Sequence, residues 1–175
     1  MKNKTIYSLT IIVLFFLSSC SNNLSRGKAE DLIRESVYAK YRVLLIFSGD
    51  ICAISENSLS PSQKVQNLED NGYVKIKKYP YNEGFFKILD KGNEFFVETR
   101  GYKKSGYFEF GDIKSINITG IQIEDKSNCY VNVEITYKLN SIGEIYYQSS
   151  EWVIKRSLLF SLFDDGWRMN DILPW

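Results

Sequence analysis

The sequence of 175 residues contains no histidine. Histidine is the usual general base near neutral pH, the central residue of Ser–His–Asp triads and a frequent ligand of transition metals. The absence of histidine excludes Ser–His–Asp triads, histidine general bases and histidine metal ligands. Serines are numerous, but no Gly-x-Ser-x-Gly pattern occurs that would place one at a nucleophile turn. The sequence therefore contains no recognisable catalytic machinery, and we do not expect an enzyme.

An excess of charge of one sign is also lacking, since 22 basic residues face 21 acidic ones. A balanced chain gives no electrostatic reason to expect nucleic acid as a partner. Adjacent carboxylates point in different directions on a strand or a helix, so they form no general acid–base pair by themselves. No alternating acidic loop typical of calcium binding occurs, and we predict no metal site and no cofactor. We interpret three acidic pairs as turn or solvent-facing residues: Glu30/Asp31, Glu69/Asp70 and Asp164/Asp165.

Long apolar runs are absent except near the N-terminus. Lys2 and Lys4 precede the largely apolar run Ile6–Leu17, and the small residues Ser18 and Ser19 follow it. This order is typical of a secretory signal peptide. A helix of about twelve residues spans only ~18 Å, which is short of the ~30 Å hydrocarbon core of a bilayer. The pattern therefore favours a cleaved leader over a permanent transmembrane helix.

The end of this run, Leu17-Ser18-Ser19-Cys20, resembles the lipobox of bacterial lipoproteins. The resemblance implies that signal peptidase II removes residues 1–19, that the Cys20 sulfur carries a diacylglyceryl group, and that a fatty acid such as palmitate acylates the new N-terminus. Several acyl chains at about 0.8 kcal/mol per buried CH2 make a stable anchor. Ser21 follows where the enteric sorting rule would need aspartate for inner-membrane retention. The resemblance thus implies a small envelope lipoprotein of the outer membrane that faces the periplasm.

Two cysteines remain besides Cys20, namely Cys52 and Cys129. An even pair in an oxidising compartment is compatible with a disulfide. Each cysteine also lies among apolar residues, where a free thiol behaves as a small core side chain. Both alternatives stay open at this point, because a disulfide requires Cα atoms within about 7 Å and the sequence does not give that distance.

In the N-terminal half of the mature chain, the residue pattern predicts two helices that are followed by strands. Apolar residues at a spacing of three to four predict an amphipathic helix over 27–40. The apolar run 43–47 fits either a buried strand or a continuation of that helix, and 49–59 is predicted to be a loop. Ser60-Pro61-Ser62-Gln63 has the pattern of a capping box, which predicts a second helix that ends at Gly72.

Residues 73–89 alternate in the manner of two strands around a turn and predict a hairpin. Together with the preceding helix, this stretch is similar to the end of a winged-helix domain over residues 61–97. The basic excess of this region is small, so we expect a scaffold rather than a DNA reader.

The C-terminal half reads as antiparallel β-structure. Strict alternation over 129–139 predicts a strand in which every second residue, from Cys129 through Val133 to Leu139, faces a core. Gly120 is predicted to lie at a bulge of the preceding strand, and residues 140–143 are predicted to form a turn. A long strand over 152–163 is followed by Asp164-Asp165-Gly166, a hairpin signal.

This ending resembles small envelope lipoprotein domains, some of which are similar to nuclear-transport-factor-2 or cystatin folds. The resemblance implies an α+β fold in which helices and a wing-like hairpin pack with a curved antiparallel sheet. The aromatic residues Tyr147, Trp152 and Trp167 form the candidate binding surface. The predicted parts are a signal peptide (1–19), a tether (20–26), a helical, winged-helix-like subdomain (27–100) and an antiparallel β subdomain (101–175).

Two hypotheses of function follow from different classes. The first is a membrane-anchored, non-catalytic binding or structural module for an envelope protein or polymer. The second is a small-ligand or hydrolytic pocket enclosed by the C-terminal sheet.

The lipobox predicts that Cys20→Ala prevents lipidation, because only the thiol can form the thioether. We expect the variant protein to move to the soluble fraction or to keep its leader, as measured by fractionation and by the mass of the N-terminal peptide. Normal processing together with unchanged membrane association of the variant would contradict the anchor.

Overall fold

The computed structural model describes residues 23–48, 51–54, 63–79, 82–99 and 105–170. Within them, nine strands form one antiparallel sheet that curls strongly into a half-barrel, accompanied by four α-helices. The expected α+β class with a curved antiparallel sheet is confirmed. The strands are β1 (Lys40–Ser48), β2 (Ile51–Ile54), β3 (Val74–Tyr79), β4 (Asn82–Ile88), β5 (Phe96–Thr99), β6 (Ser105–Ile123), β7 (Asn128–Leu139), β8 (Glu151–Phe163) and β9 (Gly166–Met169). The helices are α1 (Arg26–Arg34), α2 (Gln63–Asp70), α3 (Asp90–Asn93) and α4 (Ser141–Tyr147), with a 3₁₀ turn at Val37–Ala39.

Strand β6 is the centre of the sheet, whose order is β3-β4-β2-β1-β6-β7-β8-β9. The first half of β6 pairs with β1 along one edge and with β5 along the other, and its second half pairs with β7. Its 19 residues would extend about 60 Å if the strand were straight, so β6 follows the curl of the sheet. Strands from both sides of the predicted boundary at residue 101 join this one sheet.

A bulge in β6 keeps its apolar residues on the concave face. Ile118 pairs with buried Val133, and Ile121 pairs with buried Val131, although the two isoleucines are an odd number of residues apart. A regular strand would place them on opposite faces, because side chains alternate. The register shifts between Ile118 and Gly120, which absorbs the extra residue. The bulge predicted at Gly120 is confirmed.

The predicted register of β7 is confirmed as well. Every second residue from its second position onward is buried, while the residues between them are exposed or half-buried. The buried face belongs to a single core cluster that also contains residues of α1, α2 and α4. The inward residues of β7 are Cys129, Val131, Val133, Ile135, Tyr137 and Leu139.

Helix α1 is shorter than the predicted helix over 27–40. It begins after Ser25, whose hydroxyl accepts a hydrogen bond from the Lys28 N–H at 3.2 Å, and it ends at Arg34. Ser36 then donates to the Ile33 carbonyl at 2.7 Å and accepts from the Tyr38 N–H. Such local bonds compete with the helix ladder. The apolar run 43–47 belongs to β1, and part of the predicted loop 49–59 is strand β2, which pairs with β1.

Helix α2 ends as predicted, whereas Ser60, Pro61 and Ser62 of its expected capping box lie outside the described residues. Gly72 has a φ of 76°, its N–H bonds to the Glu69 carbonyl, and the Tyr73 N–H bonds to the Leu68 carbonyl at 2.9 Å. This is the Schellman arrangement. The predicted hairpin that follows is confirmed as β3 and β4. Strand β4 also pairs with β2, so the wing-like hairpin is part of the main sheet.

Helix α4 occupies the stretch where residues 140–143 were predicted to form a turn, so that prediction is wrong. The Asn140 side chain accepts from the Gly143 N–H at 3.1 Å and caps the helix, while its amide donates to the Glu109 carbonyl. Asn favours both turns and N-caps, which explains the error. A Cβ at Gly143 would collide with the Phe110 carbonyl, so glycine permits the close approach of α4 to β6.

The register of β7 predicts opposite effects for two charge substitutions. Val133→Asp places an unpaired carboxylate where the wild-type side chain is 2% exposed, and it should cost several of the roughly 5–15 kcal/mol that stabilise a domain. Thr136→Asp lies on the other face and should be tolerated. Thermal unfolding of the two variants checks this, and equal midpoints would contradict the register.

Candidate functional site

The predicted binding surface is divided between two ends of the sheet. Tyr147 and Trp152 stack with ring centroids 4.2 Å apart. Trp152 pairs with Tyr137, whereas Trp167 pairs with Leu162, ten positions farther along β8. At about 3.3 Å per residue, ten positions correspond to ~33 Å of strand. Tyr147 and Trp152 are therefore one cluster, and Trp167 belongs to another.

The cluster around Tyr147 fastens α4 to the sheet. The Tyr147 hydroxyl lies 2.8 Å from that of Tyr41, and the Tyr41 ring packs 5.1 Å from the ring of Tyr137. Tyr137 donates to the Tyr38 carbonyl at 3.0 Å, and burial holds the pKa of its hydroxyl far above the ordinary value. These hydroxyls are thus committed to internal bonds. The cluster acts as a structural core.

A groove opens at the other end of the curled sheet, and we call it the end groove. Its volume is about 760 Å³, and it is lined by Asn23, Leu24, Ile121, Ile123, Asp125, Lys126, Cys129 and Trp167. Small-molecule sites in proteins are usually about 300–1,000 Å³ in volume and mostly apolar. The end groove has both properties.

The β6 bulge creates the apolar wall of this groove. After the register shift, Ile121 and Ile123 pair with Val131 and Cys129, both of which face the core. Ile123, the last residue of β6, is nevertheless 67% exposed. Trp167 of β9, which is half-buried, also lines the groove.

The segment before α1 closes one side of the groove. Leu24 is only 7% exposed although it lies in the predicted polar tether 20–26. The Arg26 guanidinium donates to the Ile118 carbonyl at 2.9 Å, which holds the start of α1 against β6. An apolar residue within a polar tether was the one sequence signal for this contact.

Asp125 is held by the turn between β6 and β7. One carboxylate oxygen accepts from the N–H groups of Ser127 and Asn128 at 2.6 and 2.8 Å, and the other accepts from the Asn128 side chain at 2.9 Å. These bonds, chiefly the one from the Asn128 side chain, hold the pKa of Asp125 below its ordinary value. The carboxylate is thus ionised and committed to the turn, and it is poorly suited to act as a general base.

Cys129 lies at the base of the groove as a free thiol that is 1% exposed. Burial raises the pKa of this thiol, so it stays protonated rather than becoming a nucleophilic thiolate. Cys52, on β2, pairs with Phe47 near the end of β1, and this end of β1 lies beside the start of β6. Cys129, on β7, pairs with Ile123 at the opposite end of β6. The considered Cys52–Cys129 disulfide is not formed, because most of β6 separates the two positions.

The acidic pairs make local bonds. Glu30 pairs with Arg34 at 2.8 Å, and Asp165 pairs with Arg168 beside the β8–β9 turn. Glu69 accepts the Ile76 N–H at 2.9 Å and so satisfies a group on the edge of β3. These roles agree with the interpretation as surface or turn residues.

Ser25 and Lys28 have the spacing of a Ser-x-x-Lys motif, in which lysine activates the serine. Both residues are exposed, and the Lys28 backbone N–H donates a hydrogen bond to the Ser25 hydroxyl. The pair serves as a helix cap.

Among the described ranges, no cluster of three or more acidic or cysteine side chains has the geometry of a metal site. In the same part of the chain, no helix is both long and apolar enough to cross a bilayer. Comparison of the chain with protein-family models, with curated proteins and with solved structures finds no match.

The position of Cys129 predicts slow alkylation in the native state. In a Cys52→Ser variant of the mature chain, iodoacetamide should label Cys129 at least tenfold more slowly than in denaturant, because the thiol is buried and protonated. Mass spectrometry of the labelled peptide measures this. Equal rates in both states would show that the base of the groove is open.

Proposed function

We propose that this chain is a lipoprotein of the cell envelope, attached to the membrane through lipid on Cys20, and that its body is a non-catalytic binding module. The leader pattern and lipobox support the anchor and an outer-membrane location facing the periplasm. The partner of the body is then a molecule of the envelope rather than nucleic acid.

The observation that carries the binding role is the end groove. It combines an apolar lining from three strands with polar residues, among them Asn23 and Lys126. A wall residue that is 67% exposed, Ile123, loses contact with water only when a ligand covers it. Burying such a surface stabilises a complex by about 25 cal/mol per Å² of apolar area. An apolar or amphipathic small ligand therefore fits the groove best.

The chemistry of the groove supports binding without catalysis. Hydrolysis by carboxylates requires two of them on either side of the reacting bond. Asp125 is the one carboxylate among the residues that line the described groove, and its oxygens are held by turn bonds. The Cys129 thiol is buried. The alternative of a ligand pocket is thus retained in the proposal, and hydrolysis is not.

The arrangement of helices against a curled sheet also supports a fold of the nuclear-transport-factor-2 or cystatin type. In such folds the concave face of the sheet holds the pocket. The end groove is lined by residues of β6, β7 and β9 and by Asn23 and Leu24, which precede α1.

A polarity-sensitive dye tests this function on the mature protein in solution. Dye fluorescence should increase on binding, and Ile123→Glu should reduce the affinity at least tenfold by placing a charge in the groove wall. Val153→Glu is the matched control, because Val153 is also exposed, at 46%, but lies on β8 outside the groove. Equal dye binding by both variants would exclude the end groove as the site.

A further inference from the structure

The position of the groove along the chain restricts what can reach it. Asn23 and Leu24 line the end groove, and Cys20 is three residues before Asn23. Three extended residues span at most about 10–11 Å. The headgroup layer on each side of a bilayer is ~5–8 Å thick. If Cys20 carries lipid, the groove opens at or just above the level of the headgroups.

Two large apolar side chains are exposed at this end of the sheet, and one of them lines the groove. Ile123 is 67% exposed at the end of β6. Phe163 is 50% exposed at the end of β8, where the Arg168 guanidinium lies 5.1 Å from its ring centroid. Ile123 and Phe163 are two of the four large exposed apolar residues that the described part of the chain contains. The other two, Val97 and Val153, lie on other parts of the sheet. Exposed apolar side chains next to a membrane anchor favour contact with lipid.

The groove lining offers one cation to an anionic headgroup. Asp125 keeps its negative charge, but both of its oxygens accept hydrogen bonds from donors of its own turn. Lys126 also lines the groove and makes no ion pair with any described residue. A lysine ammonium is a common point-charge partner of phosphate.

We propose that the end groove binds one acyl chain of an anionic membrane phospholipid, with the chain along Ile121, Ile123 and Trp167 and the phosphate near Lys126. The inference rests on the proposed function and names its ligand. An acyl chain is apolar, as most of the lining is, and the phosphate stays at the mouth. Because the anchor keeps the groove beside the bilayer, phospholipid is the most concentrated ligand available to it.

Quenching by brominated lipid tests the proposal on the mature, acylated protein in vesicles. Trp152→Phe and Trp175→Phe leave Trp167 as the single tryptophan, which is excited selectively at wavelengths that tyrosine does not absorb. The vesicles contain phosphatidylglycerol brominated either near the headgroup or at the end of the chain. A chain drawn into the groove brings its end to Trp167, so we expect quenching by chain-end bromines. A bilayer that only touches this end of the protein keeps chain ends in its middle and quenches only through headgroup-proximal bromines, which would overturn the proposal.

Variants separate the groove from its surroundings. Ile123→Glu should reduce chain-end quenching at least tenfold, whereas Val153→Glu should leave it unchanged. Lys126→Gln should reduce quenching by phosphatidylglycerol several-fold, towards the level given by brominated phosphatidylcholine. Equal quenching by the wild type and by Ile123→Glu contradicts the site.

Two other occupants give distinct results, and either result rejects the proposal. If the protein's own anchor fills the groove, only the unlipidated Cys20→Ser mature chain shows chain-end quenching with the same vesicles. If the segment 171–175 fills it, quenching appears only in a chain that ends at Asn170. Dye binding without lipid quenching rejects the lipid ligand and leaves the proposed function standing, whereas loss of both rejects the two together.

Discussion

The structure depends on keeping one face of β6 apolar over 19 residues. This strand pairs with β1, β5 and β7, so an error in its alternation would be transmitted to each neighbour. A one-residue slip normally turns every later side chain to the opposite face. Register shifts against β7, between Ile113 and Ser115 and between Ile118 and Gly120, return the isoleucines of β6 to the side that faces the core. The second shift places Ile121 and Ile123 opposite Val131 and Cys129 and so forms the apolar wall of the groove.

Helices fill the concave face unevenly, and this leaves the groove. Helix α4 is held close to β6 by Gly143 and by the aromatic cluster of Tyr41, Tyr137 and Tyr147. At the other end, α1 buries Ala29 and Ile33 in the core. Leu24 and the bond from Arg26 to the Ile118 carbonyl hold the chain before and at the start of α1 against the sheet. The first end is therefore filled by core side chains, and the other end retains the groove, next to the segment that precedes α1.

The sequence determined the elements whose signals are local. Alternation in β7, the glycine at the end of α2 and the turn before Gly166 each depend on neighbouring residues, and the structure confirms each of them. The bulge at Gly120 was predictable for the same reason, since two isoleucine registers flank it. Elements with ambiguous local signals were not predicted. Asn140 caps a helix where a turn was expected, and β2 is a strand because β1 and β4 pair with it.

The tertiary structure alone decided which distant residues meet. Trp152 and Trp167 are alike in sequence, but the length of β8 separates them and leaves only Trp167 in the groove. The even number of cysteines left after Cys20 was compatible with a Cys52–Cys129 disulfide. Strand pairing instead places Cys52 beside the end of β1 and Cys129 beside the far end of β6, which keeps the two cysteines apart. The groove assembles residues about 140 positions apart, Leu24 and Trp167, whose proximity no local pattern encodes. Strand pairing and sheet curvature set such contacts, and both depend on the whole chain.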